Sequence, residues 1–263
     1  MHITFYKYQG TGNDFIMIDN RTNIFKINAK IIKKLCDRRF GIGADGLILL
    51  ENDNSSDFKM VYFNADGNES SMCGNGGRCI VAFAKKLNII TDKTSFNAID
   101  GLHEAAVDEN EFVHLKMNDV ALISSDGSSF FLNTGSPHHV EWSDNIAEFD
   151  IKNLGAKIRY QERYRPEGCN VNFVETISDS KINVRTYERG VEDETLSCGT
   201  GVTAAAIAFY FSGKTKSRII DIHTLGGALQ VKFNPTENHY ADVFLIGPAT
   251  FVFEGKIPLG YDA

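Results

Sequence analysis

The chain has 263 residues, 43% of them hydrophobic and 23% charged, enough for the core of one large or two small globular domains. Its formal net charge is −7, with Lys and Arg scattered and never in a long block, which gives no basis for a nucleic-acid partner or an anionic membrane surface. The most apolar run, GVTAAAIAFYF, has 11 residues, well short of the ~20 a membrane helix needs, and MHITFYKYQG shows no charged leader before an apolar stretch, so a cytoplasmic protein is expected.

Taken in order, ITFYKYQ and NDFIMID read as short strands between turn signals. A helix is predicted over AKIIKKLCDRRF (29–40), with Asn28 as N-cap and Gly41 as its stop. GLILLE and FKMVYF read as strands, and a second helix is predicted over GGRCIVAFAKKL (76–87). Further strands are KINVRTY, ALQVKF and ADVFLIG, and a third helix is predicted over 201–213. TAAAIAFYF, inside that helix, has no polar face, so the helix must be buried on all sides. With strands as its neighbours, a curled antiparallel sheet wrapped around it satisfies both facts.

The second and third helices open alike. CGNGGRCIVAFAKK (73–86) and CGTGVTAAAIAFYF (198–211) share a pattern, and each follows a strand and an acidic loop, NADGNESSM in one case and ERGVEDETLS in the other. Their cysteines lie 125 positions apart, close to half the chain. The expected architecture is therefore α+β, with two pseudo-symmetric domains, each a curled, mostly antiparallel β-barrel around a central buried helix. The expected boundaries are 1–118 plus 249–263 for the first domain and 119–248 for the second, the chain's end returning to close the first sheet.

Five cysteines, an odd number, do not make a disulfide scaffold in a chain with no export signal. Cys36, Cys79 and Cys169 read as packing residues. Cys73 and Cys198 differ because each opens a helix. A helix N-terminus offers backbone N–H groups and partial positive charge, which attract a carboxylate and favour a thiolate. A buried cysteine before a Gly-rich turn is also ordinary packing, but packing alone gives no reason to repeat Cys-Gly-x-Gly at duplicated positions. If two such thiols flank one α-carbon, one as thiolate and one as thiol, a proton can leave one face and another arrive on the opposite face. Backbone donors holding the carboxylate would stabilise the developing carbanion, and the chemistry needs no cofactor.

The segments GTGNDF (10–15), FNADG (63–67), MCGNGGRC (72–79), GSPH (135–138), PEGCNVNF (166–173), YERG (187–190) and SCGTG (197–201) together resemble the diaminopimelate epimerase family, in the family's order and over nearly the whole chain. The resemblance implies a pyridoxal-phosphate-independent isomerase that interconverts LL- and meso-diaminopimelate for lysine and peptidoglycan precursors, acting as a homodimer. It implies Cys73 and Cys198 as the acid/base pair, with Gly74, Asn75, Gly199 and Thr200 supplying donors to the reacting carboxylate. It further implies Asn13, Asn64, Ser136, Asn170, Glu188 and Arg189 as substrate-binding residues, Arg189 gripping the distal carboxylate in a fork. Asn13 and Asn64 also read as turn residues, and Glu188 with Arg189 as a solvated pair. Ser136 departs from the family, which usually has Asn there, and a hydroxyl has the shorter reach. His138 is implied to sit behind Cys73 and tune its protonation; a turn histidine after Pro137 is the other reading.

Other signals fail. SGKT (212–215) ends a helix instead of opening one and lacks the first P-loop glycine, GIGADG has no dinucleotide-binding context, and the seven histidines include no HExxH, so neither nucleotide nor metal is expected. Two rivals stand beside the epimerase reading. A proline or hydroxyproline racemase would share the cysteine pair, but MCGNG and YERG, with polar groups for a distal end, argue against it. In a thiol redox switch, Cys73 and Cys198 would form a disulfide.

Overall fold

The computed structural model describes residues 2–258. The chain divides into two compact units, one running to Leu115 and resuming at Pro248, the other spanning Lys116–Gly247. Of the expected closing segment 249–263, residues 259–263 lie outside the described residues.

The first unit contains β1 (His2–Gly10), β2 (Asn13–Asp19), α1 (Ala29–Cys36), β3 (Gly46–Glu51), β4 (Phe58–Asn64), β5 (Glu69–Ser70), α2 (Gly74–Lys86), β6 (Lys93–Ala98), β7 (Gly101–Val107) and β8 (Val113–Lys116). The second contains β9 (Ile123–Ser125), β10 (Ser129–Asn133), β11 (Pro137–Trp142), α3 (Ile151–Arg159), β12 (Asn170–Ser178), β13 (Lys181–Glu188), β14 (Asp193–Thr195), α4 (Gly199–Phe211), β15 (Ile219–Thr224), β16 (Gly227–Pro235) and β17 (Tyr240–Gly247). β18 (Thr250–Pro258) returns to the first unit and pairs antiparallel with β1, from Gln9↔Thr250 to His2↔Pro258.

Strand pairing makes the duplication explicit. In the first unit the order is β18-β1-β2-β3-β4-β6-β7-β8, parallel at β2/β3 and β4/β6 and antiparallel elsewhere. In the second it is β9-β10-β11-β12-β13-β15-β16-β17, parallel at β11/β12 and β13/β15 and antiparallel elsewhere. The two successions are the same, so β18 fills in one unit the place that β9 fills in the other. Each parallel pair requires a crossover: α1 and α3 supply the first in each unit, α2 and α4 the second.

Residue alternation explains the two-sided burial of β2 and β3. Ile16, Ile18, Leu47 and Leu49 join Ile32 and Leu35 of α1 in one core. Phe15, Met17, Ile48 and Leu50, the alternate residues, are equally buried on the opposite face, where α2 packs. α4 touches strands from β10 to β17, and Ala204–Phe209 are all fully buried, as a helix with no polar face requires.

Two helices differ from expectation. α1 ends at Cys36 rather than near Phe40, because Asp37 turns extended (φ −62°, ψ 125°) and its Oδ1 accepts from the N–H groups of Arg39 and Phe40, each at 2.7 Å. Gly41 then crosses the helix end so closely that a Cβ would sit 2.0 Å from the Lys34 carbonyl oxygen. α3 was not predicted. Gly155 at its centre weakens the helical signal, yet a Cβ there would meet Tyr187 Cβ at 2.3 Å, so glycine is what lets α3 lie on β13. Among the described residues no helix is long and apolar enough to cross a membrane, and no group of three or more His, Cys, Asp or Glu could hold a metal ion.

Candidate active site

In the first unit the segment 10–15 forms a two-residue hairpin loop. Gly10 pairs with Asn13, and Thr11 (φ 50°) and Gly12 (φ 87°) are both left-handed, as a type I′ turn demands. The loop lies on the opening of α2: a Cβ at Gly10 would stand 3.2 Å from the Asn75 carbonyl oxygen and 3.3 Å from Cys79 Sγ. Cys73 is the N-cap of α2 (φ −102°, ψ 149°), and its Sγ accepts from the Gly76 N–H at 3.2 Å. Gly74 and Asn75 occupy the first turn, where helix geometry supplies no carbonyl for the backbone N–H groups.

Side-chain amides tie Asn13 to this turn. Asn75 Nδ2 donates to Asn13 Oδ1 at 3.3 Å, and Asn13 Nδ2 donates to Asp45 Oδ2 at 2.7 Å. Asp45 is held by Arg38 at 2.8 Å, which also pairs with Asp14 at 2.6 Å, and Lys7 meets Asp14 at 2.7 Å from the other side. Burial raises the Asp14 pKa, but hydrogen bonds from Arg38 and Lys7 outweigh it and bring it to about 2. Asn64 lies exposed at the end of β4, in a turn closed by the Gly67 N–H donating to its carbonyl at 2.9 Å.

Arg78, one turn into α2, is fully buried. Its guanidinium donates to the Gly74 carbonyl (3.1 Å), Asn75 Oδ1 (3.1 Å), Thr11 Oγ1 (3.3 Å) and the Pro248 carbonyl (3.4 Å). The sequence reading assigned it no role; the signal was a lone arginine inside a Gly-rich helix opening.

In the second unit Cys198 is the N-cap of α4 (φ −117°, ψ 110°), with Sγ 3.5 Å from Thr200 Oγ1. Gly199 and Thr200 occupy the first turn, and the Thr200 carbonyl accepts from Thr134 Oγ1 at 2.8 Å. Ser136, Asn170 and Arg189 form one cluster. Asn170 Nδ2 donates to Ser136 Oγ at 3.1 Å, and Asn170 Oδ1 accepts from the Arg189 backbone N–H at 2.8 Å. The Arg189 guanidinium donates to Ser136 Oγ and to the Glu167 carbonyl at 3.0 Å, two neutral acceptors. It lines a cavity of about 340 Å³ together with Pro137, Arg163, Tyr164, Arg165 and Glu167. Glu188, half-buried, ends β13 beside it.

His138 lies within the second unit and is fully buried. Asn172 Nδ2 donates both to the His139 carbonyl (2.9 Å) and to His138 Nδ1 (3.1 Å), while Asn172 Oδ1 accepts from Thr186 Oγ1 at 3.0 Å. This orientation makes Nδ1 an acceptor and puts the proton on Nε2, which is buried with no partner among the described residues. Burial, and then the charge of Arg189, lower the His138 pKa to about 3. Its neighbour His139 bridges Tyr164 OH (2.7 Å) and Glu141 (3.1 Å).

The other thiols are poor nucleophiles. Burial pushes Cys36 and Cys79 up to about 12 and Cys169 up to about 11. None of the five cysteines forms a disulfide in this structure.

A family model described as diaminopimelate epimerase matches residues 5–123 and 130–252. The chain is 63% identical over 253 residues to a diaminopimelate epimerase from Flavobacterium psychrophilum, covering 96% of this chain and 99% of that one. Among solved structures it resembles a PhzF-family phenazine biosynthesis protein from Bacillus anthracis, with TM-score 0.75, 12% identity, and 98% of this chain and 99% of that one covered. It also resembles a hydroxyproline epimerase from Agrobacterium vitis with bound trans-4-OH-L-proline, with TM-score 0.68, 12% identity, and 97% and 92% covered. At that identity the two structures speak for the fold alone.

Proposed function

We infer the reaction from one premise: this chain belongs to the diaminopimelate epimerase family. On that basis the protein interconverts LL- and meso-diaminopimelate, serving lysine and peptidoglycan precursor synthesis, by a two-base mechanism without pyridoxal phosphate. The observation that carries the reading is the pair of N-cap cysteines, Cys73 and Cys198, each opening the central helix of one duplicated unit.

One cysteine, as thiolate, removes the α-proton, and the other, as thiol, delivers a proton to the opposite face. Deprotonation places charge on the α-carbon and its carboxylate. The first-turn N–H groups of Gly74 and Asn75, and of Gly199 and Thr200, are suited to hold that carboxylate, because their dipoles need no reorganisation as charge grows. Asn13, Asn64 and Asn170 offer donors and acceptors to the amino-acid ends of the substrate.

Arg189 has two neutral acceptors and no carboxylate partner among the described residues, which suits it to the distal carboxylate. Ser136 steadies Arg189 and keeps its hydroxyl proton for the ligand. Glu188 binds a substrate ammonium, and His138 acts as a neutral polar group near the reacting centre. The two domains follow the division near residues 118 and 248, and the protein works as a cytoplasmic homodimer.

The test is proton NMR of LL-diaminopimelate in D2O with the reduced enzyme and no added pyridoxal phosphate. Loss of the α-proton signal with appearance of the meso isomer is expected. Exchange with proline or hydroxyproline instead would move the chain to the racemase reading, and no exchange with any of these would overturn both.

A further inference from the structure

Arg78 is a buried cation with no anion of its own. Among the described residues it meets no carboxylate: its four hydrogen-bond acceptors are two backbone carbonyls, a hydroxyl and an amide oxygen. It is also placed where the positive end of the α2 dipole already gathers, bonded back onto the helix's first residue, Gly74. Two positive contributions in one dry place are unfavourable unless an anion stands beside them.

The groups around it leave one resident candidate. Tyr8 on β1 and Cys79 on α2 are both pushed up by burial and stay neutral. β3 and β4 present Ile48 and Met60 to the helix opening, within 3.4 Å of a Cβ placed on Gly76. On the hairpin of β6 and β7, Asp100 accepts from the Met72 N–H at 3.3 Å and is paired with His103 at 3.2 Å. Cys73 remains: it is half-buried, it caps the same helix turn, and it already accepts the Gly76 N–H.

We propose that Arg78 is the fixed counter-cation of the Cys73 thiolate and, through Asn75 and Gly74, the strut of the carboxylate cradle at the opening of α2. Arg78 is a positioning residue, because its guanidinium faces the helix turn and the hairpin loop and not a substrate. Burial lowers its own pKa to about 10, and the Cys79 and Cys73 thiols oppose the fall, so it keeps its charge at neutral pH. The arrangement also explains a buried arginine in a helix whose neighbouring residues are apolar or glycine: its charge is needed at that depth, where water screens it least.

The proposal rests on Cys73 being one of the two acid/base groups, and its test needs no substrate. The full chain is treated with iodoacetamide from about pH 5 to about pH 10, and the Cys73 peptide is followed by mass spectrometry, with the Cys79 peptide as a gauge of core opening. In the wild-type chain the Cys73 midpoint is expected below the ordinary thiol value of ~8.5. Arg78→Gln is expected to raise it by about one unit, making alkylation below the midpoint about tenfold slower; Arg78→Lys, which keeps the charge, is expected to stay near wild type.

A wild-type midpoint at or above the ordinary value overturns the proposal, as does a Gln variant that matches wild type with Cys79 still protected. If Arg78→Gln opens the core, Arg78→Met decides, because it fills the buried space of the arginine stem with an apolar chain and removes the charge without adding another. A raised midpoint supports the proposal and an unmoved one sinks it. Failure here with intact epimerisation removes Arg78 alone, whereas failure of the NMR assay removes the reaction.

Discussion

The Arg189 guanidinium donates to the Ser136 hydroxyl oxygen at 3.3 Å, and Asn170 Nδ2 donates to the same oxygen at 3.1 Å. One oxygen with two acceptor sites thus joins an amide and a cation, and the hydroxyl proton remains for a ligand. Removing the hydroxyl should loosen Arg189 more than it disturbs the reacting centre. Ser136→Ala is expected to raise KM for diaminopimelate about fivefold, corresponding to one hydrogen bond of ~1 kcal/mol, with kcat within about twofold. An unchanged KM with a collapsed kcat would place Ser136 at the reacting end instead.

Tyr164 reaches Arg189 through the backbone. Its hydroxyl meets His139 at 2.7 Å, and its ring and the following residues wall the cavity that Arg189 lines. The turn after it supplies the Glu167 carbonyl to Arg189. Tyr164→Phe leaves the ring but removes the partner of a buried imidazole nitrogen, at a cost of ~1–3 kcal/mol. The expected result is lower stability in urea unfolding together with a raised KM. A drop in stability with no change in KM would separate this buried pair from the substrate end.

Two buried histidines set an acid limit on folding. His138 titrates near 6.5 when unfolded and at about 3 when folded, and burial lowers His139 as well. Between those values the unfolded chain binds protons that the folded one does not. Stability is therefore full above about pH 6.5 and is lost as the pH falls towards the folded value, by about 2 kcal/mol at pH 5 for His138, with His139 adding in the same direction. Asp14 acts lower, losing its contribution between its ordinary value of 3.8 and about 2. Urea unfolding at pH 7 and pH 5 should show the slope, and His138→Gln should flatten part of it. An unchanged slope in that variant would mean His138 takes up its proton without cost.

What the sequence revealed and concealed follows from the same residues. Repetition was visible: the Cys-Gly-x-Gly openings and the apolar run of α4 led to two β-wrapped helices without any structure. α3 escaped because Gly155 interrupts its short helical pattern, although duplication pointed to it, since α1 occupies the same crossover in the first unit. The charge platform Lys7–Asp14–Arg38–Asp45 was hidden because its members are scattered over 39 positions and meet only once β2 pairs with both β1 and β3 and the loop after α1 folds back. Arg78 was in plain view inside MCGNGGRC, but nothing in a sequence distinguishes a buried guanidinium from a solvated one.

That platform has a consequence for Asn13, whose Nδ2 is held by Asp45 at 2.7 Å. Asp45 is in turn fixed by Arg38. Asp45→Ala leaves the Asn13 amide free to rotate, so its Oδ1 no longer meets Asn75 in one orientation. We expect kcat/KM to fall about tenfold, a loss of ~1.4 kcal/mol of transition-state stabilisation. Because Asp45 is itself half-exposed, global stability should fall by less than about 1 kcal/mol. Equal losses of stability and activity would make the platform a folding element only.

Gly201 offers the sharpest steric test of the Cys198 turn. A Cβ there would lie 2.4 Å from Asn172 Oδ1 and 3.3 Å from Cys198 Sγ. Asn172 cannot step aside freely, because its amide is fixed by Thr186, the His139 carbonyl and His138 at once. Gly201→Ala must therefore displace the α4 opening or break that buried network, and either costs about 1–3 kcal/mol. In the first unit a Cβ at Gly76 would meet Cys73 Sγ and Ile48 Cδ1 at 3.2 Å, contacts that a few tenths of an ångström relieve. The duplicated glycines should thus respond unequally. Gly201→Ala should lower the unfolding midpoint and kcat together, while Gly76→Ala should retain most of its stability. Equal tolerance at both positions would show that Asn172 can turn away, and with it that the proton on His138 Nε2 is not held in place by this amide.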